Sequence, residues 1–275
     1  MQALAAIDDW RATNAAAGAV LANGTTWTHG ASARPFALAS VTKPLVALAA
    51  LVAVEEGSLD LDQAAGPPGS TIRHLLAHAS GLAPDSDAIL APPATRRIYS
   101  NRGFDVLGTV LADATGLPVA QYLHEAVVEP LGLSVTKLDG SPASGAVSSV
   151  DDLVVVAREL LAPTIISTAT AMHATTVAFP GLDGVLPGFG RQSPNDWGLG
   201  FEVRDAKSPH WTGAENSPAT FGHFGQSGTM LWVDPAAGVA LVSLTDRAFG
   251  PWAVAAWPAL SDAALAEATT GFMGR

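Results

Sequence analysis

Cysteine is absent from the 275 residues, which excludes disulfide frameworks, thiol nucleophiles and cysteine-based zinc or iron–sulfur sites. Positive charge is scarce: 14 Lys plus Arg stand against 25 Asp plus Glu, a formal net charge of -11. So acidic a chain repels phosphate backbones and anionic lipid, and neither nucleic acid nor a membrane surface is expected as a partner. Long apolar runs are missing too. The longest, Pro44 to Val54, is too short to span a bilayer and ends on Glu55-Glu56, so it reads as a buried helix. The first residues carry no basic cluster, and Asp8-Asp9 sit where a secretory signal needs apolar residues. A cytoplasmic location is therefore expected.

What is present is core-forming: 48% of the residues are hydrophobic. Leu4, Ile7 and Trp10 are spaced for a helix over 3 to 16. Two short strands, 18–22 and 25–29, flank Asn23-Gly24, which predicts a type I′ hairpin. Helices are expected after Lys43 as far as Gly57, from Ser70 or Thr71 to His78, over 102–115, over 121–128 up to Pro130, and from Ser149 to Leu161. From about residue 195 the apolar period changes to two, predicting strands at 199–203, 229–233 and 239–244 before a final helix at 252–268. Strands at both ends point to an α+β fold: one antiparallel sheet built from both termini and flanked by helices, with an all-helical region inserted. The expected division is 1–57 with 166–275 for the sheet part and 58–165 for the helical insertion.

Ser40 precedes Lys43 by three residues, and Pro44 requires the helix to begin close by. Hydroxyl and amine then lie one turn apart on the same face, near a helix N-terminus whose dipole favours a developing anion. A desolvated lysine there can shed its proton and act as a base. By itself Ser-x-x-Lys also describes an ordinary helix start. Two further elements accompany it: Tyr99-Ser100-Asn101 ahead of a helix, and His223-Phe224-Gly225 ahead of a strand-like segment. Lys43, Lys137 and Lys207 are the only lysines, and Tyr99 and Tyr122 the only tyrosines, so chance placement in these motifs is improbable.

Together these elements resemble the Ser-x-x-Lys, Tyr-x-Asn and Lys/His-x-Gly motifs of class C β-lactamases, penicillin-binding DD-peptidases and related esterases. The segments Ile72–Leu82, Glu129–Leu133 and Gly225–Thr229 are similar to that family as well, and the likeness runs from about residue 18 to 247. The resemblance implies a β-lactamase/transpeptidase-like fold with Ser40 as nucleophile and Lys43 and Tyr99 sharing the proton traffic. Tyr99 would be hydrogen-bonded to Ser40, with its pKa lowered by the lysine charge. Asn101 would hold Lys43 and touch substrate, and the backbone N–H groups of Ser40 and Gln226 would form the oxyanion hole. His223, Phe224 and Gly225 would border the substrate on the edge strand, and Trp197 and Trp211 are further candidates for the lining.

His223 stands where many β-lactamases of this type carry lysine, and a histidine is mostly neutral near pH 7. The expected function is therefore serine hydrolysis of a small ester or amide through a Ser40 acyl-enzyme. The alternatives are a D-amino-acid peptidase (DD-carboxypeptidase) or weak β-lactamase using the same residues. A non-catalytic binding protein would be expected to have lost one of the three motif side chains. No cofactor is implied. His74 and His78 are spaced i, i+4, but no Glu follows His74 as a metalloprotease helix requires, so both read as structural and no metal is expected. The oligomeric state stays open.

Overall fold

The computed structural model describes residues 1–273. A 3-10 turn over Gln2–Asp9 leads into β1 (Ala15–Leu21), which returns along β2 (Thr26–Gly30). The helix expected over 3 to 16 is thus cut short. Ala15, Ala16 and Ala17 favour a helix in isolation, but pairing with a strand from the far end of the chain outweighs that preference. The hairpin turn also departs from type I′. Gly24 N–H donates to Leu21 O, and Gly24 alone in the turn has positive φ, 85°, giving a type I turn followed by a left-handed glycine.

Strand β3 (Phe36–Ala37) runs through a 3-10 turn, Ala39–Val41, into α1 (Thr42–Glu55). That helix is apolar all round and buried from Thr42 through Ala53, as befits the centre of the molecule. The helical region follows. It contains α2 (Ile72–Leu76), α3 (Asn101–Thr115) and α4 (Val119–Leu123), the last running through a π-helical stretch into α5 (Glu129–Leu131). Pro130 does not stop this helix as expected. It sits in the first turn of α5, where a missing N–H costs little, and left-handed Gly132 ends the run. Strands β4 (Lys137–Leu138) and β5 (Ala146–Ser148) join β3 in a small antiparallel sheet.

Helix α6 (Val150–Leu161) opens with Ser149 Oγ accepting from Asp152 N–H. Next come α7 (Thr168–Thr175), which the sequence pattern does not announce, and a hairpin of β6 (Gly184–Leu186) and β7 (Gly190–Gln192). The strand expected over 199–203 shrinks to β8 (Glu202–Val203), because Gly198 N–H turns back to Phe201 O. The chain closes with β9 (Phe221–Gly225), β10 (Thr229–Asp234), β11 (Val239–Thr245) and α8 (Pro251–Met273).

The main sheet has the order β2-β1-β11-β10-β9-β8, so the two ends of the chain meet at the β1–β11 pair. Both faces are covered. Ala16, Val20, Leu231, Val233, Ala240 and Val242 point into the core shared with α1 and α6, while their neighbours Ala17, Ala19, Met230, Trp232 and Leu241 point into a second core with α8. Burial on both sides explains why these strands read as continuous apolar runs. One boundary moves. Helix α6, expected within the helical insertion 58–165, packs on β1, β10 and β11, with Val150 and Val154 seated over Gly18. No helix among the described residues is long and apolar enough to cross a membrane.

Candidate active site

Ser40 lies in the 3-10 turn that feeds α1, just after Ala39, whose φ of 46° is rare for a residue with a side chain. Such strain persists only where the surroundings enforce it. Here the turn between β9 and β10 does so: Ser227 Oγ donates to Ala37 O at 2.7 Å and Thr229 Oγ1 to Leu38 O at 2.7 Å. Gly225 completes the seam, because a Cβ at that position would collide with Leu38 O and Thr229 Oγ1. The glycine of the third motif therefore has a steric cause: it lets the sheet edge close onto the backbone beside Ser40.

Tyr99 and Asn101 flank Ser100, the N-cap of α3, whose Oγ accepts from Gly103 N–H at 2.9 Å and donates to Ala83 O at 2.7 Å. Ser100 N–H in turn donates to His78 Nδ1 at 3.1 Å. His78 is buried against the rings of Tyr99, Phe104 and Trp197, and burial holds its pKa well below the usual value. His74 accepts from Thr71 N–H at the start of α2 and stacks on Phe179. The two histidines thus brace separate stretches of backbone.

Lys43 Nζ is the hub. It donates to Tyr99 Oη at 2.7 Å, Asn101 Oδ1 at 2.8 Å and Ala143 O at 2.9 Å, with Ser40 Oγ at 3.4 Å. The side chain is fully buried and every partner is neutral. Burial lowers its pKa to about 7, against a weaker upward pull from Asp105 and Asp85. Near neutral pH the amine therefore exchanges its proton readily. Tyr99 departs from expectation. Its pKa is raised, because burial of the phenol outweighs the hydrogen bond with Ser40. Tyr99 is a neutral hydroxyl, and Lys43 is the group poised to gain and lose a proton. Asn101 is itself anchored, its Nδ2 donating to Asp85 Oδ1 at 2.8 Å.

His223, Phe224 and Gly225 are the end of β9 itself, not a lead-in to a strand. Strand β8 pairs only with Phe221 and Gly222, which leaves the motif on an open edge. His223 Nδ1 donates to Phe224 O at 2.7 Å, and burial lowers its pKa to about 3, so it is neutral with Nε2 as a free acceptor. A cavity of about 90 Å³ brings together Ser40, Tyr99, Asn101, His223, Phe224 and Gln226, walled also by Trp197, Leu186, Pro187 and Glu202. Trp211 does not reach it. That indole is buried behind Phe224 with Nε1 donating to Glu202 Oε2 at 2.8 Å. The Ala143 carbonyl, Asp85 and Glu202 had no sequence signal: one is main chain, and the carboxylates lie in segments without a motif. Among the described residues no cluster has the makeup of a metal site.

The beta-lactamase family model matches residues 1–265. A beta-lactamase from Mycobacterium bovis, known from its crystal structure, is 60% identical, with a TM-score of 0.96 covering 97% of this chain and 99% of that one. EstCE1, described as a hydrolase with promiscuous acyltransferase activity, superposes with a TM-score of 0.80 over 96% of this chain and 99% of its own; at 21% identity this is a likeness of fold alone. Salmonella relatives named "Putative D-alanyl-D-alanine carboxypeptidase" are 24% identical over 212 residues, 58% of this chain and 47% of theirs. The chain spans about half the length of the curated relatives it matches. Matched along nearly its whole length and 60% identical to a beta-lactamase of the same fold, this chain belongs to the beta-lactamase family of serine hydrolases.

Proposed function

We propose that the protein hydrolyses small esters or amides through an acyl-enzyme on Ser40. The observation that carries this reading is Lys43: a fully buried amine with no carboxylate partner, its pKa lowered to about 7, in contact with both Ser40 and Tyr99. In its neutral form Lys43 takes the Ser40 proton, directly or through the Tyr99 hydroxyl, as Ser40 Oγ attacks the acyl carbon. The N–H groups of Ser40 and Gln226 receive the oxyanion; losing one such donor typically costs ~10²–10³-fold in turnover. Tyr99, kept protonated by burial, passes the proton on to the departing heteroatom and is replenished by Lys43. Water then attacks the acyl-enzyme by the same route in reverse. Asn101 holds Lys43, while His223 Nε2 and Phe224 border the acyl group.

The name of the Salmonella relatives supports a second reading, a carboxypeptidase acting on D-amino-acid termini. Neutral His223 weighs against it, since the third motif then offers no fixed charge for a terminal carboxylate. Initial rates on a butyrate ester, a D-Ala-D-Ala peptide and nitrocefin rank the readings, with the ester expected first. The primary test is intact mass after incubation with a fluorophosphonate. One adduct on wild type and none on Ser40→Ala is expected. No adduct on either protein would bring a non-catalytic binding role to the front.

A further inference from the structure

Beside the Ser40 cavity lies a larger open cleft of about 670 Å³ that shares Tyr99 and Pro187 as walls with it. We propose that this cleft binds the departing half of the substrate, and that the departing group is an alcohol or amine with an extended apolar body ending in an anion held by Arg96. The proposal rests on the Ser40 hydrolase reading and adds the substrate class to it.

Three observations carry it. The first is position. Tyr99 separates the two spaces and is hydrogen-bonded to both Lys43 and Ser40. As the Ser40 Oγ–carbon bond forms and the bond to the leaving oxygen or nitrogen breaks, the proton taken from Ser40 returns through Tyr99 to that heteroatom. The leaving group therefore exits on the Tyr99 side, into the cleft.

The second is the lining. Leu90, Ile98, Val185 and Pro187 face this space. Ile89, Leu90 and Val185 are 55%, 54% and 59% exposed, half of the large apolar side chains that stand exposed among the described residues. Leu90 and Val185, two of these three, line the cleft, and exposed apolar side chains at its mouth on an otherwise acidic surface fit an apolar ligand.

The third is charge. Arg97, buried within the cleft wall, is consumed by four carbonyls, those of Ala77, Ala178, Phe179 and Asn195. Arg191 pairs with Asp183, which also accepts from Ser193, and Arg102 pairs with Asp87. Asp85 accepts from Asn101. Arg96 lines the cleft and has no hydrogen-bond or ion-pair partner among the described residues, so its guanidinium is free to take a carboxylate in a forked pair. Neutral His223 cannot supply that charge, which leaves the role to Arg96.

The test uses two acetate esters of matched length, 6-acetoxyhexanoate and hexyl acetate, with acetic acid release followed in a pH-stat. A preference of about five- to tenfold in kcat/KM for the carboxylated ester is expected, seated mainly in KM and shrinking with added salt. Arg96→Gln should bring the ratio to about one, whereas Arg158→Gln, a charge removed from α6 beside the β1–β2 turn, should keep it. Fluorophosphonate labelling of Ser40 reports whether each variant has an assembled site. Equal rates on the two esters with Ser40 labelled, or a preference that survives Arg96→Gln, overturn the cleft assignment alone. No turnover of either ester with Ser40 unlabelled overturns the hydrolase reading, and this one with it.

Discussion

Lys43 and Lys207 are both buried, one under the Ser40 cavity and one beneath β8, and burial lowers the pKa of each. Their partners differ. Lys43 meets only neutral oxygens: a phenol, a carboxamide, a serine hydroxyl and a carbonyl. Lys207 bonds directly to the Glu202 carboxylate and to the carbonyls of Asp196 and Val203 at 2.6 Å each. Glu202 is saturated in turn by His210 and Trp211. Burial alone would push its carboxyl up, but the attraction of, and hydrogen bonds from, His210 and Lys207 hold it well below the usual range. The Lys207 cluster is closed: each charge has its counter-charge and nothing is left to react. At Lys43 the counter-charges, Asp85 and Asp105, act only from a distance. The difference teaches that burial alone does not make a lysine a base. Burial without a carboxylate partner leaves an amine that can release its proton near neutral pH.

Removing the two amines should separate chemistry from stability. Lys43→Met is expected to lower kcat on a chromogenic butyrate ester by ~10²–10⁴-fold while circular dichroism shows the fold retained. A residual rate within tenfold of wild type would mean that Tyr99, not Lys43, handles the proton. Lys207→Met should do the reverse. It strands the Glu202 charge in the interior, which typically costs ~3–5 kcal/mol, read from urea unfolding, and the folded fraction should keep most of its turnover. Adding Glu202→Gln to Lys207→Met should recover part of that loss. An undiminished stability in Lys207→Met would mean that Glu202 is not held as a carboxylate.

This contrast was half visible in the sequence. Lys43 could be found because one of the three lysines sits three residues after a serine at a helix start, and that pattern, with Tyr99-Ser100-Asn101 and His223-Phe224-Gly225, resembles the motifs of the family. The spacing of Ser40 and Lys43 acts over a single helical turn and the cap Ser149 was legible for the same reason, whereas Tyr99 and Asn101 were legible through their resemblance to the Tyr-x-Asn motif. Lys207 carried no signal. Its partner Glu202 lies in a two-residue strand that owes its existence to β9, and no short-range period marks so brief an element. Long-range pairing likewise overrode the helical preference of Ala15, Ala16 and Ala17 and brought α6 onto the sheet over Gly18. Even the sign of the Tyr99 shift was not legible, since it turns on how deeply the phenol is buried, which only the packing of His78 and Trp197 decides.

The smallest effect expected is a slope, and it tests the comparison most directly. In the unfolded chain Lys43 titrates near its ordinary 10.5, in the folded one at about 7. Below pH 7 both states carry the proton, and folding bears the full cost of burying the charge. Between those two values the unfolded chain holds a proton that the folded site has released, so stability gains roughly 1.4 kcal/mol per pH unit from this group. Above 10.5 the gain is complete. Lys43→Met lacks the titration, so the difference in unfolding free energy between wild type and variant should grow in favour of wild type from pH 7 to 9. The midpoint near 7 should also appear in kcat/KM, rising with pH as the neutral amine forms. Parallel stability curves for the two proteins across this window would mean that the folded amine keeps its proton, and Lys43 would then resemble Lys207 after all.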